Sequence, residues 1–220
     1  MTVYENSAAR QSAAIRAHAR RGVWRRVLAW MGVTAHTRGA DAQAARWSVG
    51  AQAEAVTAGM LAELEQAGWH VLHDRQLPGS RANLDHVLVS PCGTALVVLD
   101  TKRWHAQRPT TLVGGRVHCG DQDRHGQVEA VARYAARVAA VLGMPGRVWP
   151  LLVVHGSPIA GGRLEARAPD WDGVVHVLGP EWLMPTLAAA PSGKDPKRAA
   201  ELAARVARVL PPYAGEAYSG

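Results

Sequence analysis

Apolar residues recur along the chain in two rhythms. Short, nearly unbroken runs of Val and Leu fall at residues 84–89, 95–99, 148–154 and 174–178, which is the habit of strands covered on both faces. Val128, Val131, Ala135, Val138 and Leu142 instead return every three or four positions, which predicts a helix over residues 127–142 with one face on the core. The same spacing predicts a helix from about Ala40 or Ser48 to Gln66, broken near Ser48-Val49-Gly50, with Ala53, Val56, Met60, Leu64 and Ala67 as its buried stripe. Gly68 closes it, and residues 69–74 read as a first strand. Residues 77–83 read as a loop. A small hairpin is expected over 110–113 and 116–118 around Gly114-Gly115, followed by a polar loop over 121–126. Residues 156–172 read as loop-rich, 181–189 as a short helix, and 195–210 as a last helix with Leu202, Val206 and Val209 on one side. From Pro211 onward the pattern reads as a loose tail.

The runs at 84–89 and 95–102 are separated by Ser90-Pro91-Cys92-Gly93-Thr94 and predict a β-hairpin. A turn centred on Cys92-Gly93 sets Asp85 directly opposite Asp100 and places both on one sheet face with Lys102. Opposed carboxylates weaken a sheet unless a cation sits between them. Lys102 supplies one positive charge, and a divalent metal ion would supply the rest. The alternative is a half-buried strand that simply ends in a solvated Asp-Thr-Lys. Composition sharpens the contrast, because of 25 Lys and Arg only residues 102, 194 and 197 are lysine. Lysine is a compact, titratable donor, whereas arginine stays charged and presents a fixed fork.

At 220 residues and nearly half hydrophobic, the chain is long enough for one domain with a real core. It has no Phe and eight Trp, and its two cysteines exclude both a disulfide framework and a cysteine zinc cluster. No secretory leader or membrane-spanning run is apparent, so a cytoplasmic protein is expected. The net charge of +7 favours a polyanionic partner, nucleic acid or an anionic membrane surface.

Much of that charge lies at the start of the chain. Residues 7–31 read as a basic helix carrying Arg10, Arg16, Arg20, Arg21, Arg25 and Arg26 beside Trp24, Leu28 and Trp30. Such a helix docks on its own domain, lies on a membrane or follows a nucleic-acid backbone. Residues 34–39 read as a linker. The expected organisation is an N-terminal extension over 1–38, a domain over 39–190, and a C-terminal helix and tail over 191–220.

Two more polar residues stand near the hairpin in this scheme. Glu54 lies beside the apolar stripe of the second helix, either as an ordinary acid of the first turns or as a third carboxylate turned toward the hairpin. Gln127 opens the 127–142 helix, either exposed or reaching the sheet.

The order of these pieces, helix with Glu, strand, strand with Asp, turn, strand with Asp-x-Lys, helix with Gln, resembles the PD-(D/E)xK nuclease superfamily. More narrowly, Gly50-Ala51-Gln52-Ala53-Glu54, Leu77-Pro78-Gly79, residues 83–89, Gly93, Asp100-Thr101-Lys102-Arg103-Trp104 and Gln127 resemble the nuclease-related domain, NERD, over roughly residues 46–155. The chain departs from the family in having Ala53 before Glu54, Asp100 where Glu is common, and no Gly shortly after Trp104. The resemblance implies an α/β restriction-endonuclease-like core with a central mixed sheet flanked by helices, here with a basic helical extension. It further implies a phosphodiesterase site holding Mg²⁺ or Mn²⁺ on Asp85, Asp100 and Glu54, hard oxygen ligands suited to those ions. In that scheme Lys102 orients the attacking water and Gln127 positions substrate. Arg81, Arg103, Arg108 and Arg124 are then expected to contact nucleic-acid phosphates, of DNA before RNA. Two other readings stay open: a nuclease fold that binds nucleic acid without cutting it, and an adaptor acting through residues 7–31.

Overall fold

A computed structural model describes residues 35–190 and 193–213, with side chains from residue 50 onward. The expected basic helix over 7–31 lies outside the described residues. Helix α1 (Ala35–Gln66) is continuous. Residues 35–39, expected as a linker, are helical, and no break occurs at Ser48-Val49-Gly50. One glycine in a helix costs only about 1 kcal/mol, and the Ala-rich flanks absorb it. The chain divides after Ala55, so α1 crosses from a first unit into a second that runs from Val56 to Ala214.

In the second unit, strands β1 (His70–Gln76), β2 (Asn83–Val89) and β3 (Leu96–Arg103) form an antiparallel meander. A separate three-stranded sheet of β4 (Thr110–Val113), β5 (Arg116–Cys119) and β6 (Gln122–Asp123) follows, and then helix α2 (His125–Leu142). Strand β7 (Val148–His155) lies parallel to β3. Strand β8 (Arg163–Ala166), after a short 3₁₀ turn, and strand β9 (Val175–Leu178) complete a six-stranded mixed sheet in the order β1-β2-β3-β7-β9-β8. Helices α3 (Pro180–Ala188) and α4 (Pro196–Val209) end the fold. The expected mixed sheet with flanking helices is therefore present. Strand β8 falls in the stretch expected as loop; its Arg-Leu-Glu-Ala alternates polar and apolar residues, but over only four positions after Gly161-Gly162.

Both sheet faces are covered, which explains the near-continuous apolar runs. Val87, Val89, Leu96, Val98, Leu152 and Val154 meet Val128, Val131, Ala135 and Val138 of α2 and Leu202 and Val206 of α4. Leu88, Val97, Leu99, Leu151 and Val153 meet Leu61 and Leu64 of α1 and Leu183 and Leu187 of α3. Of the expected stripe of α1, Ala53 and Leu64 are buried and Met60 partly so, but the buried line also takes in residues not expected there. Thr57, Leu61 and Leu64 are buried, while Val56 is half exposed. A buried hydroxyl is tolerated at 57 because Thr57 Oγ1 lies 2.8 Å from His155 Nε2.

The β2–β3 hairpin turn is fixed by Gly93, whose N–H donates to Ser90 O at 2.9 Å. Its φ of +64° suits glycine, and an added Cβ would sit 2.6 Å from the Ala199 nitrogen at the start of α4. At the far edge, residues 211–213 are not a loose tail. Gln76 N–H donates to Pro211 O, Tyr213 N–H donates to Asp74 O, and the Arg75 guanidinium donates to Leu210 O and Ala207 O.

Behind the hairpin lie three histidines held neutral. His86 is buried with its Nδ1 2.8 Å from Nδ1 of His73, and burial followed by the neighbouring His73 pushes its pKa down to about 3. Burial also lowers His73 and His155. The unfolded chain binds these protons near the ordinary value of 6.5 and the folded one only at lower pH, so stability is complete above 6.5 and falls as pH drops toward 3. From His86 alone the loss at pH 5 is expected to be on the order of 2 kcal/mol. Thermal melts at pH 7.5 and pH 5 check this, with His86→Gln losing less on acidification than the wild type.

Candidate active site

The hairpin register pairs His86 with Leu99, Val87 with Val98, Leu88 with Val97 and Val89 with Leu96. Continuing it by one residue sets Asp85 opposite Asp100, as the turn length predicts. At that point the ladder stops being backbone to backbone. Asp85 Oδ2 instead accepts the Thr101 N–H at 2.7 Å, so a carboxylate takes the place of the next strand carbonyl. Asp100 and Lys102 alternate with Val98 onto the face covered by α2. There Lys102 Nζ lies 2.6 Å from Asp100 Oδ2 and also donates to Thr101 O at 3.3 Å. Asp85 and Asp100 are buried at 8% exposure each, while the lysine side chain is about one-third exposed at 36%. The two acids thus sit at the floor of the site and the ammonium at its rim.

Gln127 is brought to the end of β3. Trp104, two residues beyond Lys102, is buried and donates its indole N–H to Gln127 Oε1 at 2.9 Å. An indole nitrogen only donates, so the amide oxygen must face it and the Gln127 NH₂ must face away. The Trp104 backbone is fixed in turn, since its N–H donates to His155 O. Gly156 (φ +87°) lies so close that an added Cβ would stand 2.6 Å from Trp104 O. Trp104 thus holds the Gln127 amide oxygen, a contact the sequence pattern showed only as part of a motif.

Tyr134 of α2 was not singled out in the sequence. It falls on the helical stripe of Gln127 and Val131, is half-buried, and packs against the core below the site. Burial and then the charge of Asp100 hold its hydroxyl above the ordinary tyrosine range; Asp85 acts in the same sense, and Lys102 and Arg133 oppose.

The other expected residues lie on several elements. Glu54 is half-buried on α1 within the first unit, whereas the hairpin belongs to the second. Arg81 is exposed in the β1–β2 loop. Arg103 ends β3 exposed and alternates to the face opposite Lys102. Arg108 is paired with Asp121 at 2.7 Å, and Arg124 precedes α2 with its Nη2 on Gln122 Oε1.

Among the described residues no group of three or more His, Cys, Asp or Glu side chains converges to hold a metal ion. Two carboxylates on adjacent strands remain. That donor set fits Mg²⁺ or Mn²⁺, which take one or two protein carboxylates and keep water in their other positions. It does not fit a closed four-ligand zinc site.

Residues 49–155 match the family model of the nuclease-related domain. Over that segment the chain is similar to the nuclease-related domain, NERD. The matched segment begins within α1 and ends on the last residue of β7, so Glu54, Asp85, Asp100, Lys102, Trp104, Gln127 and Tyr134 all belong to the NERD segment. Strands β8 and β9 and helices α3 and α4 follow it. No curated protein and no solved structure matches the chain. No helix among the described residues is long and apolar enough to cross a membrane.

Proposed function

We propose that this NERD-like domain hydrolyses phosphodiester bonds in nucleic acid, with Mg²⁺ or Mn²⁺ held by Asp85 and Asp100. The observation that carries the reading is the register-matched carboxylate pair at the opening of the β2–β3 ladder, with Lys102 2.6 Å from Asp100. A bound divalent ion supplies Lewis acidity and a more acidic water. The chain's own residues supply the rest. Asp85, anchored by the Thr101 N–H, presents a fixed carboxylate that does not have to reorganise. Lys102, at the rim, orients the attacking water and offsets charge that grows on the phosphate oxygens. Gln127, its amide locked by Trp104, turns its NH₂ toward substrate. Glu54 is assigned as a third acid by the family pattern, and Arg81, Arg103, Arg108 and Arg124 as phosphate contacts outside the reacting centre. We take DNA as the first substrate to test, ahead of RNA.

The deciding experiment incubates purified protein with Mg²⁺ or Mn²⁺ and labelled single- and double-stranded DNA and RNA. Metal-dependent cleavage that EDTA abolishes is expected. Tight binding without cleavage of any of the four would overturn the hydrolytic reading in favour of a binding module.

The Trp104–Gln127 bond gives a finer expectation. Trp104→Phe keeps an aromatic ring in the core but frees the amide to rotate, and loss of one such hydrogen bond corresponds to about a tenfold fall in rate. Gln127→Ala should fall by a similar factor, and the double variant no further than Gln127→Ala alone, because the two side chains act through one group. Single-turnover rates of the three variants check this.

A further inference from the structure

The helix over the site carries a hydroxyl that neither the carboxylate pair nor the lysine accounts for. Tyr134 stands on α2 seven residues after Gln127, two turns along the same stripe, so both side chains face the sheet. Asp100 and Lys102 project from β3 onto that covered face, in step with Val98 on β3 and with Leu152 and Val154 on the neighbouring β7. The ring of Tyr134 packs against this core. Burial and then the charge of Asp100 raise its hydroxyl above the ordinary tyrosine range, with Lys102 and Arg133 opposing and Asp85 adding to the rise.

We propose that Tyr134 is a catalytic residue whose hydroxyl donates a hydrogen bond to a non-bridging oxygen of the scissile phosphate. This inference rests on the phosphodiesterase reading above. A phosphate bound over Asp85 and Asp100 would present oxygens toward the helix that covers this sheet face, and Tyr134 would supply a hydroxyl donor from that helix beside the Gln127 amide. A neutral donor suits the place better than another cation. It stabilises charge developing on the phosphate without competing with the metal for the two acids, as Lys102 does. No proton is transferred; the phenol stays neutral throughout.

The test uses two readouts on the full chain. In steady-state cleavage with Mn²⁺, Tyr134→Phe should lower kcat by about tenfold to a hundredfold with little change in KM. A kcat within twofold of wild type would overturn the proposal. The second readout needs no turnover. Protein labelled with 3-fluorotyrosine is followed by ¹⁹F NMR, with the Tyr134 signal identified by its loss in Tyr134→Phe. Mn²⁺ alone should broaden that signal ahead of the other tyrosines, and a DNA oligonucleotide added with Ca²⁺ should shift it. If Mn²⁺ binds but the Tyr134 signal stays sharp, the hydroxyl does not face the site and this proposal alone fails. If the protein neither binds Mn²⁺ nor cleaves any substrate, the phosphodiesterase reading fails and takes this inference with it. An unchanged melting temperature of Tyr134→Phe separates lost chemistry from lost folding.

Discussion

Lys102→Arg is expected to abolish metal-dependent cleavage nearly as completely as Lys102→Ala, while the protein keeps its melting temperature and its affinity for nucleic acid. The substitution preserves charge, so a group that merely neutralises Asp100 or a phosphate would survive it. The observed geometry leaves little room for that outcome. Lys102 Nζ lies 2.6 Å from Asp100 Oδ2 and also donates to Thr101 O. A planar guanidinium cannot place one nitrogen on both acceptors without moving its other arms into the same space. A displacement of about 1 Å in a positioned group can cost on the order of a hundredfold in rate. The same geometry separates Lys102 from the acids. In the metal-free protein Lys102 is the counter-cation of Asp100, so Lys102→Ala should bind Mn²⁺ at least as tightly as wild type, and Asp100→Asn more weakly. Calorimetric titration with Mn²⁺ and single-turnover cleavage, run on the three variants together, check both halves. Cleavage by Lys102→Arg at close to the wild-type rate would remove Lys102 from the mechanism.

Asp85 should show a division between chemistry and stability that its neighbours do not. Its carboxylate has two tasks, as an acid of the site and as the acceptor that closes the β2–β3 ladder on Thr101 N–H. Asp85→Asn keeps an oxygen of the same reach and loses the charge. It is expected to cut cleavage by at least about a hundredfold and to leave the melting temperature nearly unchanged. Asp85→Ala loses the acceptor as well and strands a buried backbone N–H at a cost of about 1–3 kcal/mol. For a chain of this size that lowers the melting temperature by roughly 2–10 °C. Equal melting temperatures for the two variants would mean that the Thr101 bond contributes nothing to the hairpin.

The carboxylate register was legible in the sequence because few quantities set it. An even-numbered turn with glycine at 93 leaves one pairing for residues 84–89 and 95–102, and side-chain alternation then decides the face. The 127–142 helix was legible for the same kind of reason, since its apolar period is strong and Gly143 ends it with a left-handed cap. What escaped has physical causes as well. Asp74 adopts a φ of +49°, and the β1–β2 ladder skips from His73–His86 to Arg75–Leu84 around it; no local signal in the sequence marks that irregularity. Thr57 occupies a core position of α1 because of a partner 98 residues away, which periodicity cannot register. Tyr134 looks like any aromatic on a buried stripe until the fold sets its helix over the face that carries Asp100 and Lys102. Trp104 and Gln127 are 23 residues apart, separated by a whole three-stranded sheet, and only the fold shows that one holds the other.

Residues 211–213 along β1 have a bearing on how this protein behaves in concentrated solution. A bare edge strand is a template on which other chains can add, and β1 is the outer strand on that side of the sheet. Pro211 O and Tyr213 N–H occupy the outward hydrogen-bonding groups of Gln76 and Asp74, and Pro212, opposite Arg75, has no N–H to offer to a further strand. The sheet therefore stops growing along that stretch, and shortening the chain before residue 211 would leave a protein that folds but self-associates through its first strand.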